Sequence, residues 1–360
     1  MSPRTTGQVH IIGAGLLGTS IGLALRQQNV DVSITDASPA NESLAIDFAA
    51  GRKLGAQDHV SLVVVCVPPD VTAKTVIQAL KDFPSAVVTD VASVKSTVLT
   101  ELQASDADRT RYVGSHPMAG REKGGTLAGR ADLFVGRPWV IAIEADTVSE
   151  AAQSVEQLAL DLGSTPIRMS AQEHDHAVAL ISHTPQLISS LLAAQLASAE
   201  DKDLSLSGQG LRDTTRIAAS DPRLWLQILS ANSGELLPVL KSFEKDLEQV
   251  IEALEHVGTS GSLSKLGKIL EAGNLGISRL PGKHGSTNTS YAQVVVMIDD
   301  KPGELARLLT EIGAAGLNVE DLNLDHASGA QVGLVELSVL PAIEEKLVST
   351  LRTNGWKLAG

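Results

Sequence analysis

Short apolar runs alternate with amphipathic stretches through the first half of the chain. VHIIG, DVSITD, SLVVVCVPP, AVVTD, RYVGS and PWVIAI are rich in β-branched residues and too short for buried helices, so each predicts a strand. Several are separated by segments whose apolar positions recur every three or four residues, the spacing of a helix with one buried face. Alternating strand and helix predicts a parallel sheet covered by helices over residues 1–168, an α/β domain of Rossmann-like type. After Ser170 the period changes. HAVALISHTPQLISSLLAAQLASAE and LWLQILSANSGELLPVLKSFEKDLEQVIEALEHV read as long helices with wide apolar stripes, which bury against one another or against a second subunit. Residues 169–272 are therefore expected to form an all-helical domain that also makes a homodimer. GNLGISRLPGKHGSTNTS, residues 273–290, has the composition of a linker. From 291 to 360 the order strand, helix, strand, strand, helix predicts a small α+β module with the split βαβ arrangement of ferredoxin-like folds.

Composition narrows the class. Of 360 residues 43% are hydrophobic and 20% charged, enough for more than one core. A formal charge of -13 without basic runs argues against nucleic acid or an anionic membrane as partner, and an anionic ligand needs a local cation. Cys66, the only cysteine, lies in LVVVCVPP, where no disulfide within the chain can form and a buried thiol is expected. That suits a reducing cytoplasm. MSPRTTGQVHIIG lacks a signal-peptide pattern, and no uninterrupted apolar run approaches membrane-spanning length, so a cytoplasmic, soluble protein is expected.

Chemistry enters at VHIIGAGLLGTSIGLAL. Gly13, Gly15 and Gly18 have G-x-G-x-x-G spacing between a strand and a helix. Such glycines permit a tight turn, close approach of a pyrophosphate and close packing of helix on strand, while the helix start supplies N–H groups. Asp36, closing the second strand, can accept hydrogen bonds from both ribose hydroxyls and repel a 2'-phosphate, which favours NAD over NADP. The alternative is a turn with Asp36 as a helix cap, and nearby Arg52 and Lys53 leave phosphate tolerance open. Pro68 and Pro69 shape the loop after SLVVVC. Ser93, in TDVASVKS, either caps the next helix or presents its hydroxyl to the nicotinamide region. His116, in GSHPMAG, ends a strand at the sheet's carboxyl edge, where Pro117 restricts its backbone. It suits acceptance of a hydroxyl proton while hydride leaves the same carbon, with a structural histidine as the alternative.

GSHPMAGREKGG, preceded by TDVASVKS and followed by QEHDHAVALISHTPQ and LRDTTRIAASDPRLW, resembles the prephenate/arogenate dehydrogenase family of tyrosine biosynthesis, in order from about residue 8 to 250. DDKPGEL and GLNVEDL resemble an ACT domain. The resemblance implies oxidative decarboxylation of prephenate, or of arogenate, with NAD as hydride acceptor. His116 would take the proton of the substrate's ring hydroxyl, Ser93 would orient His116, His183 would contact substrate, and Arg216 would hold a carboxylate. Arg216 also answers the need for a cation against a dianionic substrate.

His174, Asp175, His176 and His183 invite a metal reading, but on a helix His174 and His176 point apart, and the pair sharing a face, His176 and His183, is too small a ligand set for a catalytic zinc. No metal is expected. Arg212, Asp213 and Glu122 stay ambiguous between pocket and surface. In the last module Asp300, Pro302 and Gly303 form a strand-to-helix turn able to receive an amino-acid carboxylate, or simply a cap; Asn318 fits the strand-leading turn of the ACT pattern. Tyrosine is the effector the domain pairing suggests. A β-hydroxyacid dehydrogenase, which relies on a lysine in its helical domain, and a sensor without turnover are the competing readings.

Overall fold

The computed structural model describes residues 2–120, 124–280, 291–326 and 332–359. In chain order the elements are β1 (Gln8–Ile12), α1 (Leu16–Gln27), β2 (Val32–Thr35), α2 (Pro39–Asp47), β3 (Val60–Val65), α3 (Pro69–Asp82), β4 (Val87–Asp90), α4 (Ser96–Gln103), β5 (Tyr112–Pro117), β6 (Pro138–Ala142), α5 (Ser149–Asp161), β7 (Thr165–Met169), α6 (Ala171–Val178), α7 (Thr184–Gln195), α8 (Asp201–Leu204), α9 (Gln209–Thr215), α10 (Pro222–Ala231), α11 (Ser233–Glu255), α12 (Ser262–Ser278), β8 (Ala292–Asp299), α13 (Glu304–Ala314), β9 (Asp321–His326), β10 (Val332–Val339), α14 (Pro341–Thr353) and β11 (Lys357–Ala359). They divide into two compact units, Met1–Ala194 with Thr215–Ser242, and Gln195–Thr214 with Phe243–Gly360.

In the first unit seven strands form one sheet in the order β2-β1-β3-β4-β5-β6-β7. β1 pairs in parallel with β2 and β3, β3 with β4, and β4 with β5. This is the doubly wound arrangement in which ligands gather at the carboxyl ends of the strands. The unbroken apolar run of β3 has a simple cause. Leu62 and Val64 enter the core on one face with Ile21 and Leu25 of α1, while Val63 and Val65 enter the other with Val76 and Leu80 of α3. Successive strand side chains point to opposite faces, and here helices cover both. Each such fully buried side chain contributes on the order of 1.5–3 kcal/mol, which holds the strand ends in fixed positions.

The expectation of a wholly parallel sheet fails at its far side. β6 runs antiparallel to β5, and β7, absent from the sequence pattern, pairs in parallel with β6. A parallel return needs a crossover of a dozen or so residues, usually a helix. In the described part of the connection after β5 only a single 3-10 turn, Thr126–Ala128, is formed, and the chain comes back antiparallel. TPIRM of β7 is only partly buried, which blunts its strand signal.

Residues 171–198 form a continuous helical stretch that by length and composition alone could cross a membrane, longer than the apolar runs in the sequence suggest. Six of its polar residues, His174, Asp175, His183, Thr184, Gln186 and Ser189, are buried within the unit. Between α6 and α7 one turn, Ala179–His183, is π-helical. Pro185 comes soon after; it lacks an N–H and its ring crowds the carbonyl four residues back, and a wider turn relieves both. The extra residue rotates the downstream helix by roughly 100° relative to an uninterrupted α-helix. This corrects the expectation that His176 and His183 share a face: His183 is buried with His174, while the His176 side chain is 73% exposed beside Glu235.

In the second unit, Gly273–Ser278 belong to α12 rather than to the expected linker. Glycine lowers helix stability by about 1 kcal/mol but does not forbid the helix, which stops shortly before Pro281, the first residue that must break it. The rest of that segment, 281–290, lies outside the described residues, as does Glu122. The C-terminal strands and helices have a βαββαβ order, with an antiparallel sheet β11-β8-β10-β9. Val294, Val296, Ile298, Val335 and Leu337 pack under Leu308 and Ile312 of α13 and Leu347 and Leu351 of α14. β11 is too short to have shown a period.

Candidate active site

The glycine loop fits a dinucleotide. A Cβ on Gly13, whose φ is +109°, would meet the Cys66 carbonyl oxygen at 2.2 Å, and one on Gly18 would meet that of Gly13 at 1.9 Å, so both positions need glycine for turn and packing. Gly15 has nothing within 4 Å of a Cβ position, which leaves its backbone open to a phosphate, and it starts α1 with no side chain capping the helix. Asp36 is not the cap of α2, which is Ser38. Its carboxylate accepts from Ala14 N at 2.7 Å and Ser38 N at 2.8 Å, tying the end of β2 to the loop. Arg52 is committed elsewhere, with its guanidinium on Asp31 and Asp58, which removes one of the two cations that left a 2'-phosphate open. Pro69 begins α3 and Pro68 precedes it, a structural role.

At the carboxyl end of the sheet β5 delivers His116. Its Nδ1 lies 2.8 Å from His174 Nε2, and His174 Nδ1 lies 2.8 Å from Asp175 Oδ1. Asp175 also receives the backbone N–H groups of Lys95 and Ser96, each at 2.8 Å, and so caps α4 from a distant element. Asn232 reaches the Asp175 carbonyl at 2.8 Å and His183 Nδ1 at 3.1 Å, and Trp225 stands edge-on to the His183 ring. Burial, then the neighbouring His174, Lys95 and His183, holds the His116 imidazole well below the ordinary histidine value, so the ring is neutral near pH 7. Burial, with His174 adding and Asp175 opposing, lowers His183 to about 4. Burial would raise the Asp175 carboxyl, but hydrogen bonds from His174, Lys95 and Ser96 outweigh it and hold the group low.

Behind His116 lies a second network. Lys95, its side chain 1% exposed, pairs with the fully buried Asp90 and donates to the Ser115 carbonyl at 2.8 Å. Asp90 also receives the Tyr112 hydroxyl at 2.6 Å and Ala92 N at 2.8 Å. The carbonyl directly before His116 is thus anchored by a buried ammonium.

The expected residues divide. The half-buried His116 and the buried His183 fall in one cluster, joined through His174, Asp175 and Asn232. Ser93 is half-buried in the loop between β4 and α4, and its hydroxyl makes no hydrogen bond among the described residues. It neither caps α4, whose cap position is Lys95, nor holds the His116 Nδ1, which is taken by His174. Arg216 is exposed and opens the turn Arg216–Ala218 ahead of α10. Asp213 accepts from Gln209 one turn earlier in α9, a surface helical pair. In the second unit Gly303, with φ +93°, is the cap of α13, Asp300 and Pro302 are exposed beside it, and Asn318 donates to Glu320 at 2.6 Å. Lys95, Asp90, Asn232 and Trp225 escaped sequence reasoning. The one available signal was an acid at the end of AVVTD, at the sheet's ligand edge.

Family models describe the same architecture. Residues 21–167 match the prephenate dehydrogenase nucleotide-binding domain, and residues 170–271 match the prephenate dehydrogenase dimerization domain. A relative named probable prephenate dehydrogenase NovF, from Streptomyces niveus, is 35% identical over 353 residues, 96% of this chain and 98% of its own. Cyclohexadienyl dehydrogenase of Zymomonas mobilis is 34% identical over 260 residues, 68% of this chain and 88% of its own. Among solved structures, prephenate dehydrogenase from A. aeolicus, crystallised with hydroxyphenyl propionate and NAD+, shares the fold at a TM-score of 0.66 and 24% identity, over 76% of this chain and 98% of that one. With a nucleotide loop open at Gly15, a histidine cluster at the sheet's edge and these matches along most of its length, the chain belongs to the prephenate dehydrogenase family.

Proposed function

We propose that this protein is an NAD-dependent dehydrogenase that oxidatively decarboxylates prephenate to 4-hydroxyphenylpyruvate. The observation that carries the reading is His116: a neutral imidazole at the carboxyl end of β5, held through Nδ1 by His174, in the same unit as a glycine loop suited to a dinucleotide. Gly13, Gly15 and Gly18 would cradle the pyrophosphate and Asp36 would receive the ribose hydroxyls. NAD, when bound, accepts the hydride.

The chain's own groups have three tasks. His116 takes the ring hydroxyl proton as hydride leaves the carbon bearing that oxygen, so the O–H bond becomes an N–H bond and the carbon becomes a carbonyl. The electron pair of the bond to the ring carboxylate then enters the ring, carbon dioxide departs, and the phenolate oxygen recovers the proton from His116. His183 contacts the substrate, and Arg216 grips a carboxylate with its planar fork. Ser93, on the loop that Asp175 anchors, faces the nicotinamide region. Most of the rate then comes from alignment, since aromatisation drives the second step.

The family's dimerization model extends over α11, where Phe243, Leu247, Ile251 and Leu254 make one exposed apolar stripe, the surface a homodimer would cover. Residues 1–168, 169–272 and 291–360 would be the nucleotide-binding, helical and ACT-like domains, the last receiving an amino acid, tyrosine first, near Asp300, Pro302, Gly303 and Asn318. Such a protein works in the cytoplasm. The test is NADH formation by the purified protein. Prephenate with NAD is expected to give NADH and 4-hydroxyphenylpyruvate in equal amounts, and NADP much less, with arogenate assayed beside them; no NADH from prephenate would refute the assignment.

A further inference from the structure

We propose that His174 and Asp175 act as positioning residues that fix His116 in the one neutral tautomer able to accept the substrate's proton. The inference rests on the functional reading above, in which His116 is the base.

Asp175 Oδ1 accepts the N–H of Lys95, and an ionised carboxylate can only accept. His174 Nδ1, 2.8 Å from the same oxygen, must therefore carry its proton. In the arrangement proposed, His174 carries a single proton, on Nδ1; its Nε2 then has a lone pair and no hydrogen, and the 2.8 Å contact makes His116 Nδ1 the donor. A neutral His116 protonated on Nδ1 leaves Nε2 as a bare lone pair, the atom a hydroxyl proton needs. The other tautomer would set two lone pairs against each other away from bulk water, where an unmade hydrogen bond is costly. The two rings are steeply inclined to one another, with centroids 5.1 Å apart.

The same carboxylate performs a second task. Through Lys95 N and Ser96 N it pins the start of α4, and through its own backbone carbonyl it is held by Asn232, which also reaches His183. Asp175 therefore fixes the base and the loop bearing Ser93 to one point. Once His116 has taken the proton, its Nδ1–H still faces His174 and, beyond it, the negative Asp175, which stabilises the imidazolium. Among the described residues, the charged or titratable groups that act on His116 are His174 from α6, Lys95 from the loop before α4 and His183 from the π turn, and the Asp175 carboxylate is linked to it through His174.

The test is a double-mutant cycle with a rescue. His174→Leu is expected to lower kcat about 30-fold, with KM for NAD changed less than about twofold, because the tautomer is no longer enforced. His174→Gln, whose amide oxygen preserves an acceptor for His116 Nδ1, is expected to stay within about fivefold of the unmodified protein. In a His116→Asn background, His174→Leu is expected to change the residual rate less than about twofold, since nothing remains to be positioned. The proposal is overturned if His174→Leu lowers the rate as much in the His116→Asn background as alone, or if His174→Gln falls as far as His174→Leu. Should His174→Leu fail to fold, the Gln variant and its cycle with His116→Asn decide the matter alone: a Gln variant impaired 30-fold or more, or equally impaired in both backgrounds, contradicts the relay. An unimpaired His116→Asn would instead refute the functional reading itself.

Discussion

Replacing His116 with asparagine lowers kcat about 1,000-fold, near the middle of the range for loss of a general base, while the Kd for NAD changes less than about twofold. Asparagine suits the test because its amide nitrogen occupies about the position of imidazole Nδ1. The donor to His174 is kept, the cluster stays filled, and only the proton-accepting nitrogen is removed. A 1,000-fold loss corresponds to about 4 kcal/mol of transition-state stabilisation. NAD affinity holds because the glycine loop lies between β1 and α1 and takes its shape from Cys66, Asp36 and the Gly13 to Gly18 contact, none of which involves His116. Steady-state assays with prephenate and titration of NAD check the two halves separately; an unchanged kcat would eliminate His116 as the base, and a large loss of NAD affinity would recast it as a cofactor residue.

The second large effect is on stability. Lys95→Met is expected to cost about 3–5 kcal/mol of unfolding free energy, because it leaves Asp90 charged and buried without its counter-ion. Methionine matches the length of the lysine stem, so the loss is electrostatic rather than a cavity. Tyr112 and Ala92 still donate to Asp90, but neither carries charge. The Ser115 carbonyl loses its anchor as well, so His116 is less well placed and kcat falls with stability. Adding Asp90→Asn, which removes the orphaned charge, should restore part of the loss. Urea unfolding measures both; a cost under about 1 kcal/mol would show that the pair is not the keystone of this region.

What the sequence made legible was whatever depends on neighbours in the chain. The glycine loop, Asp36 at the end of β2 and His116 before Pro117 are all consequences of spacing and local backbone geometry, and β3 showed its double burial as an unbroken apolar run. Illegible were contacts set by tertiary register. His174 lies 58 residues beyond His116, and nothing local links it to GSHPMAG. The π turn ahead of Pro185 then moved His183 to another face than regular helical spacing implies. Ser93 looked like a cap because serine so often is one, whereas the true cap of α4 is a carboxylate 80 residues away. Nothing local in VKS marks Lys95, and only the fold brings Asp90 and the Ser115 carbonyl to its ammonium.

The most direct test of the account is the pH dependence of kcat/KM for prephenate. Catalysis needs His116 neutral, and burial with neighbouring His174, Lys95 and His183 lowers its affinity for a proton, so activity is lost only as pH falls below the ordinary histidine value of 6.5. The predicted result is an acid limb below 6.5 that disappears from the residual activity of His116→Asn. A limb at or above 6.5, or one that survives unchanged in His116→Asn, would contradict it.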